Sequence, residues 1–150
     1  MPPAFNKNEY DSRLKRVRSK MKERGLDALI IGNPSNINWL TGYDAWSFYT
    51  PQLMLIDFDK GPFWMGREMD AETAFITTYL SPSQVISYPE NLVQKTDVHP
   101  SEFLSSWMNS AGFNNAIIGY ESDSYYASLR SLKALKSKLK NAKWIEEDLL

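Results

Sequence analysis

Asp27-Ala28-Leu29-Ile30-Ile31-Gly32-Asn33-Pro34-Ser35-Asn36-Ile37-Asn38-Trp39-Leu40-Thr41-Gly42 is the stretch on which the fold of this chain turns. Its first half is a short, unbroken apolar run with β-branched residues, the pattern of a strand covered on both faces. Its character changes at Asn33. An asparagine can accept from the free N–H groups of a helix start, Pro34 suits the first helical position where no N–H is needed, and Gly42 can take the left-handed stop. A buried strand followed at once by a capped helix predicts an α/β fold.

On the N-terminal side, Tyr10, Leu14, Val17 and Met21 recur at spacings of 4, 3 and 4, which predicts a helix that Gly25 closes. On the C-terminal side, Leu53-Met54-Leu55-Ile56-Asp57 and Phe63-Trp64-Met65 flank the turn residues Asp59-Lys60-Gly61-Pro62 and predict an antiparallel hairpin. A helix is expected from Glu68 to about Leu80, with Met69, Thr73, Ile76 and Leu80 on its inner side and Ser81-Pro82-Ser83 at its end. Gln84 to Tyr88 then reads as a strand. His99 and Pro100 open a helix whose apolar face is Phe103, Trp107 and Met108 and which Gly112 ends. Ala116 to Tyr120 is one more buried strand. Ser122 or Asp123 is expected to cap a last long helix with Tyr125, Leu129, Leu132, Leu135 and Leu139 inward, and Lys143 to Glu146 an edge strand. The order α-β-α-β-β-α-β-α-β-α-β predicts one three-layer α/β domain over residues 1–150, a mixed sheet with helices on both faces.

Composition narrows the function. With 17 Lys+Arg against 18 Asp+Glu the net charge is -1, so no overall field favours nucleic acid. The basic residues of the first and last helices lie opposite apolar faces, as solvated side chains do. Cysteine is absent, which removes disulfides, thiolate metal sites and cysteine nucleophiles and fits a reducing compartment. No apolar run reaches the roughly 20 residues that span a bilayer, and Met1-Pro2-Pro3-Ala4-Phe5 lacks the blocks of a signal peptide. The expectation is a cytoplasmic protein with no membrane and no nucleic-acid partner.

Catalytic patterns are scarce. His99 is the sole histidine, too little for a hydrolytic metal site or a Ser/His/Asp triad, and no phosphate-cradling glycine motif occurs. Its role is either to cap the helix at Pro100 or to face a ligand in a larger assembly. Glu68, Asp70 and Glu72 fall in a first helical turn, where the macrodipole favours acids. No catalytic residue, metal ligand or cofactor is therefore assigned within the chain. What stands out is the loop after Gly42, where Tyr43, Trp46, Phe48 and Tyr49 crowd together. Such rings either pad a core or form a contact surface, and composition alone favours padding.

The opening helix with Arg13-Leu14 and Met21, the step Gly25 to Ile31 and the block Asn33 to Gly42 resemble the N-terminal domain of the creatinase/prolidase family, the pita-bread metallohydrolases. Within that family the likeness is to ectoine hydrolases and Xaa-Pro dipeptidase-like proteins, on Trp39 to Tyr49, Tyr88-Pro89-Glu90-Asn91-Leu92-Val93-Gln94 and His99-Pro100. The resemblance implies a homodimeric hydrolase whose C-terminal catalytic domain, outside this chain, can hold a divalent metal pair and act on a small molecule or dipeptide. It also implies that Asp44, Trp46, Phe48, Tyr49 and His99 serve as a substrate-binding lid over the partner subunit's active site. Creatinase offers an arginine from this loop to its substrate carboxylate; no arginine stands between Tyr43 and Ile56, where Thr50 lies near that place. The alternative is a stand-alone, catalytically silent binding or dimerisation module.

Overall fold

The computed structural model describes residues 2–148; Met1 of the N-terminal stretch and Leu149 and Leu150 of the acidic tail lie outside the described residues. Five α-helices and six strands follow the anticipated order: α1 (Lys7–Glu23), β1 (Ala28–Ile31), α2 (Pro34–Thr41), β2 (Leu53–Ile56), β3 (Phe63–Arg67), α3 (Glu68–Thr77), β4 (Val85–Tyr88), α4 (Pro100–Ser110), β5 (Ile117–Tyr120), α5 (Leu129–Lys136) and β6 (Lys143–Glu146). One sheet joins the strands in the order β4-β3-β2-β1-β5-β6.

The expected hairpin is present, with β2 antiparallel to both β1 and β3. The pairs β1–β5, β5–β6 and β3–β4 are parallel. Strand β2 therefore runs against the rest, and the carboxyl ends of β1, β3, β4, β5 and β6 share one edge of the sheet. The loop from α2 to β2, the segment after β4 and the segment after β5 all emerge at this edge, the usual place for a binding surface in an open α/β sheet.

Alternation in the central strands builds two cores. Leu29, Ile31, Met54, Ile56 and Trp64 face α1, α2 and α3 through Val17, Met21, Ile37, Leu40 and Ala74. Ala28, Ile30, Leu53, Leu55 and Met65 pack against α4 and α5 through Leu104, Met108 and Leu135, and against Leu139 just beyond α5. Each fully buried aliphatic side chain contributes about 1.5–3 kcal/mol, so β1, buried along its whole length, is the centre of the fold. The predicted caps are present: Asn33 Oδ1 accepts from the Ser35 N–H at 3.0 Å, and Gly42 stands at φ 82. Gly25, at φ 67, ends α1 as the Leu26 N–H donates to Met21 O.

Three expectations need correction. The last helix starts at Leu129 with Ser128 as its cap, its hydroxyl accepting from the Ser131 N–H, and not at Ser122 or Asp123. Tyr125 and Leu129 are then 100% and 89% exposed, not inward. In α3, Met69 and Ile76 are exposed while Ala74 and Thr77 are buried; the small residues let the helix lie close to the sheet. In α4, Phe103 turns outward and Ser101, Leu104, Ser105 and Met108 face the core. There the Ser101 and Ser131 hydroxyls share a hydrogen bond of 2.8 Å, which lets two serines sit between α4 and α5 without an orphaned polar group.

Candidate functional site

The loop after α2 is built from a buried polar brace outward. Tyr43 is buried; its hydroxyl donates to Ala45 O at 2.7 Å and accepts from Gln52 Nε2 at 2.9 Å. Gln52 Nε2 also lies 2.9 Å from Asp70 Oδ2, and Gln52 Oε1 accepts from the Ser47 N–H. Asp70 takes a charge-assisted bond of 2.9 Å from Arg67 Nε. The Arg67 guanidinium, whose pKa that carboxylate raises, donates to the Tyr49 hydroxyl at 2.7 Å and covers its ring at 5.2 Å. Burial pushes the Tyr43 hydroxyl up, so it remains a neutral donor. Strand β3, helix α3 and the loop are thereby tied together.

On this brace the remaining rings point to solvent. Trp46, Phe48 and Tyr49 are 47%, 78% and 47% exposed, so they form a surface and only Tyr43 pads the core. Phe48 bridges the set, with its ring 6.4 Å from Trp46 and 5.3 Å from Tyr49. Trp46 also meets Tyr126 edge-on at 4.7 Å. The segment after β5 therefore extends the surface with Tyr126. Sequence reasoning had placed Tyr125 on the last helix; the run Ser122-Asp123-Ser124, rich in turn-forming residues, was the signal for a loop before α5.

The five expected site residues reach this edge but not one cavity. Asp44 and Trp46 line a hollow of about 320 Å³ beside Pro34, Ser35, Asn38 and Gln52. Tyr49 and His99 line another, of about 130 Å³, with Thr50, Lys95 and Arg130. His99 caps α4: its Nδ1 accepts from the Ser101 N–H at 3.1 Å. Burial, then the nearby Arg130, lowers its pKa below 6.5, against a weaker pull from Glu102.

Glu121 was not anticipated. It is buried at the end of β5, where Oε2 accepts the N–H groups of Gly32 and Asn33 at 2.9 and 2.8 Å and Oε1 accepts from Asn36 Nδ2. Burial raises its pKa against those bonds. It ties the turn between β1 and α2 and is fully engaged by it. Among the described residues no group of three or more His, Cys, Asp or Glu is placed to hold a metal ion, and no helix is long and apolar enough to cross a membrane.

A doubly covered, mostly parallel sheet with an aromatic surface braced at its carboxyl edge defines a three-layer α/β domain. The family model for the creatinase/prolidase N-terminal domain matches residues 13–148. This chain belongs to that family. It is 39% identical over 147 residues to the ectoine hydrolase of Halomonas elongata, covering 97% of this chain and 37% of that protein. It is 37% identical to an uncharacterised hydrolase/peptidase, y4tM, of Sinorhizobium fredii, covering 97% and 38%. The chain thus spans less than two-fifths of the length of these relatives. The N-terminal domain of an X-Pro dipeptidase from Streptococcus pyogenes shares the fold at a TM-score of 0.71 and 16% identity, over 90% of this chain and 92% of that one. The Xaa-Pro dipeptidase of Bacillus anthracis does so at 0.68 and 14%, over 92% of this chain and 33% of that one.

Proposed function

We propose that this chain is the non-catalytic N-terminal domain of a longer hydrolase acting on a C–N bond, of the ectoine hydrolase or Xaa-Pro peptidase kind. In that protein it serves dimerisation and covers the neighbouring subunit's active site. The observation that carries the reading is the exposed Trp46-Phe48-Tyr49 surface, held in place by Tyr43, Gln52, Asp70 and Arg67. Three large rings left in water at the edge of a rigid sheet are suited to closing over a partner. Once closed, they exclude water, and their faces can attract a cationic or amidinium part of a small substrate. Asp44, exposed beside Trp46, adds charge complementarity.

The relatives named as hydrolases and the chain's share of their length support a catalytic domain elsewhere in the protein, with a divalent metal pair as the group to be expected there. The setting we infer is the cytoplasm, in keeping with the absence of cysteine. The test compares the 150-residue chain with the longer polypeptide, using ectoine and an Xaa-Pro dipeptide as substrates and elemental analysis for metal. The longer polypeptide is expected to turn over one of them, while the chain alone turns over neither and retains no stoichiometric metal. Hydrolysis or tight metal retention by the chain alone would overturn the reading. A longer polypeptide inert toward both would favour a silent binding module.

A further inference from the structure

A hollow of about 180 Å³ lies between helix α5 and the carboxyl ends of β1, β5 and β6. Ile30, Leu53, Leu132 and Leu135 give it apolar walls, and Leu129, 89% exposed, stands at its rim. Its charge is of one sign: Glu121 and Glu146 line it, and no Lys, Arg or His does. Glu121 is only 7% exposed. It takes its hydrogen bonds from neutral donors, the Gly32 and Asn33 N–H groups and the Asn36 amide, and forms no ion pair among the described residues. Burial first, and then the charge of Asp148, raise its pKa, so the charged group acting on it is a further acid. Asp148 is itself held at the rim by Ser122. Lys136 lies over the Tyr120 and Trp144 rings, at 5.1 and 5.3 Å, and does not line the hollow. A buried carboxylate is ordinarily matched by a cation, and here the chain supplies none.

We propose that this hollow binds a small primary ammonium with an apolar body, the charge set beside Glu121 and Glu146 and the body against Ile30, Leu53, Leu132 and Leu135. The size agrees, since an apolar cavity of roughly 150 Å³ takes one benzene ring. Burial of its surface holds the body. The ammonium is held by carboxylates in a site largely withdrawn from water, where their attraction is weakly screened. An anion would add its charge to those of Glu121, Glu146 and Asp148 and is excluded. A metal ion does not fit either, because no group of three or more His, Cys, Asp or Glu is placed to hold one among the described residues. Leu129 gains a role, as a leucine standing in water at the rim covers an apolar guest. The hollow is formed by this chain alone and shares no residue with Asp44, Trp46, Phe48, Tyr49 and His99, so the proposal goes beyond the covering role of the aromatic loop and is tested apart from it.

Benzylammonium is the probe, with benzyl alcohol and benzoate as neutral and anionic arms of similar shape. Each is titrated into the isotope-labelled chain at neutral pH and constant ionic strength. The amide NMR signals of Gly32 and Asn33, whose N–H groups donate to Glu121, report on the charged end, and the methyl signals of Leu132 and Leu135 on the apolar end. Benzylammonium is expected to shift both sets saturably, benzyl alcohol to bind about tenfold more weakly, and benzoate not to bind. Glu121→Gln keeps an acceptor for the two N–H groups and should bring ammonium and alcohol to within about threefold of each other. If that variant fails to fold, Glu146→Gln, at an exposed position, carries the same test, with a loss of about threefold expected for the ammonium alone. No saturable shift, equal affinity of the parent for ammonium and alcohol, an undiminished preference in the variant, or ammonium shifts confined to residues 46–49 would overturn the proposal.

Discussion

Gln52→Leu keeps the volume of a buried side chain and removes every polar contact it makes. Those contacts are Nε2 to Tyr43 Oη, to Ala45 O and to Asp70 Oδ2, and Oε1 from the Ser47 N–H. A neutral hydrogen bond contributes about 1 kcal/mol net and one to a carboxylate about 1.5–3 kcal/mol. The full sum overstates the loss, because Ala45 O keeps the Tyr43 hydroxyl and Asp70 keeps Arg67. Only the Ser47 N–H is left without its partner. The expected cost is about 3 kcal/mol, which in a domain of this size lowers Tm by roughly 6–12 °C. Thermal unfolding followed by circular dichroism measures the loss, and amide exchange across residues 44–51 locates it. Combined with Tyr43→Phe the effects should fall short of additive, since both substitutions remove the same Tyr43–Gln52 bond. A Tm within about 2 °C of the parent, with unchanged exchange in the loop, would refute the idea that a polar brace holds the aromatic surface.

Phe48→Ala, at a side chain mostly in water, should change stability by less than about 0.5 kcal/mol, and Trp46→Ala by about 1 kcal/mol through the lost Tyr126 contact; chemical denaturation distinguishes both from core residues. Glu121→Leu strands the N–H groups of Gly32 and Asn33 and should cost about 2–5 kcal/mol, whereas Glu121→Gln retains an acceptor for them and should cost about 1 kcal/mol. The His99 pKa is lower folded than unfolded, so the unfolded chain takes up the proton first and stability should fall as pH drops through 6.5. For Glu121 the folded pKa is raised, so stability should fall as pH rises through 4.5 toward that value. Denaturant midpoints measured against pH for His99→Asn and Glu121→Gln should each lose the corresponding slope.

The sheet and its helices were legible because the signals are local: a continuous apolar run for β1, Asn33-Pro34 and Gly42 around α2, and His99-Pro100 opening α4. Strand neighbours and directions beyond the hairpin were not, since pairing β1 with β5 joins residues ninety positions apart. At the site, the crowding of Trp46, Phe48 and Tyr49 was visible, but composition favoured a core. Their exposure follows from what lies beneath, as Gln52 and Arg67 hold the loop through Asp70, and no local pattern links Gln52 to Asp70 eighteen positions on. Tyr125 and Leu129 misled for a related reason: their spacing suits a helix, yet no core faces them. Glu121 and Arg130 carry no motif and gain meaning only from Gly32, Asn33 and Thr96, which the fold brings to them.

The central claim, that the aromatic surface completes a site on another subunit, is tested by mixing two variants of the longer polypeptide. One carries Phe48→Ala with its catalytic domain intact; the other keeps Phe48 but has a disabled catalytic domain. Each alone should have low kcat/KM with unchanged Tm. If the surface acts across the subunit boundary, hybrid dimers contain one intact pair of surface and catalytic domain, and activity should return on mixing. Parent-level activity in Phe48→Ala alone, or no recovery in hybrids shown by mass to have formed, would contradict the account.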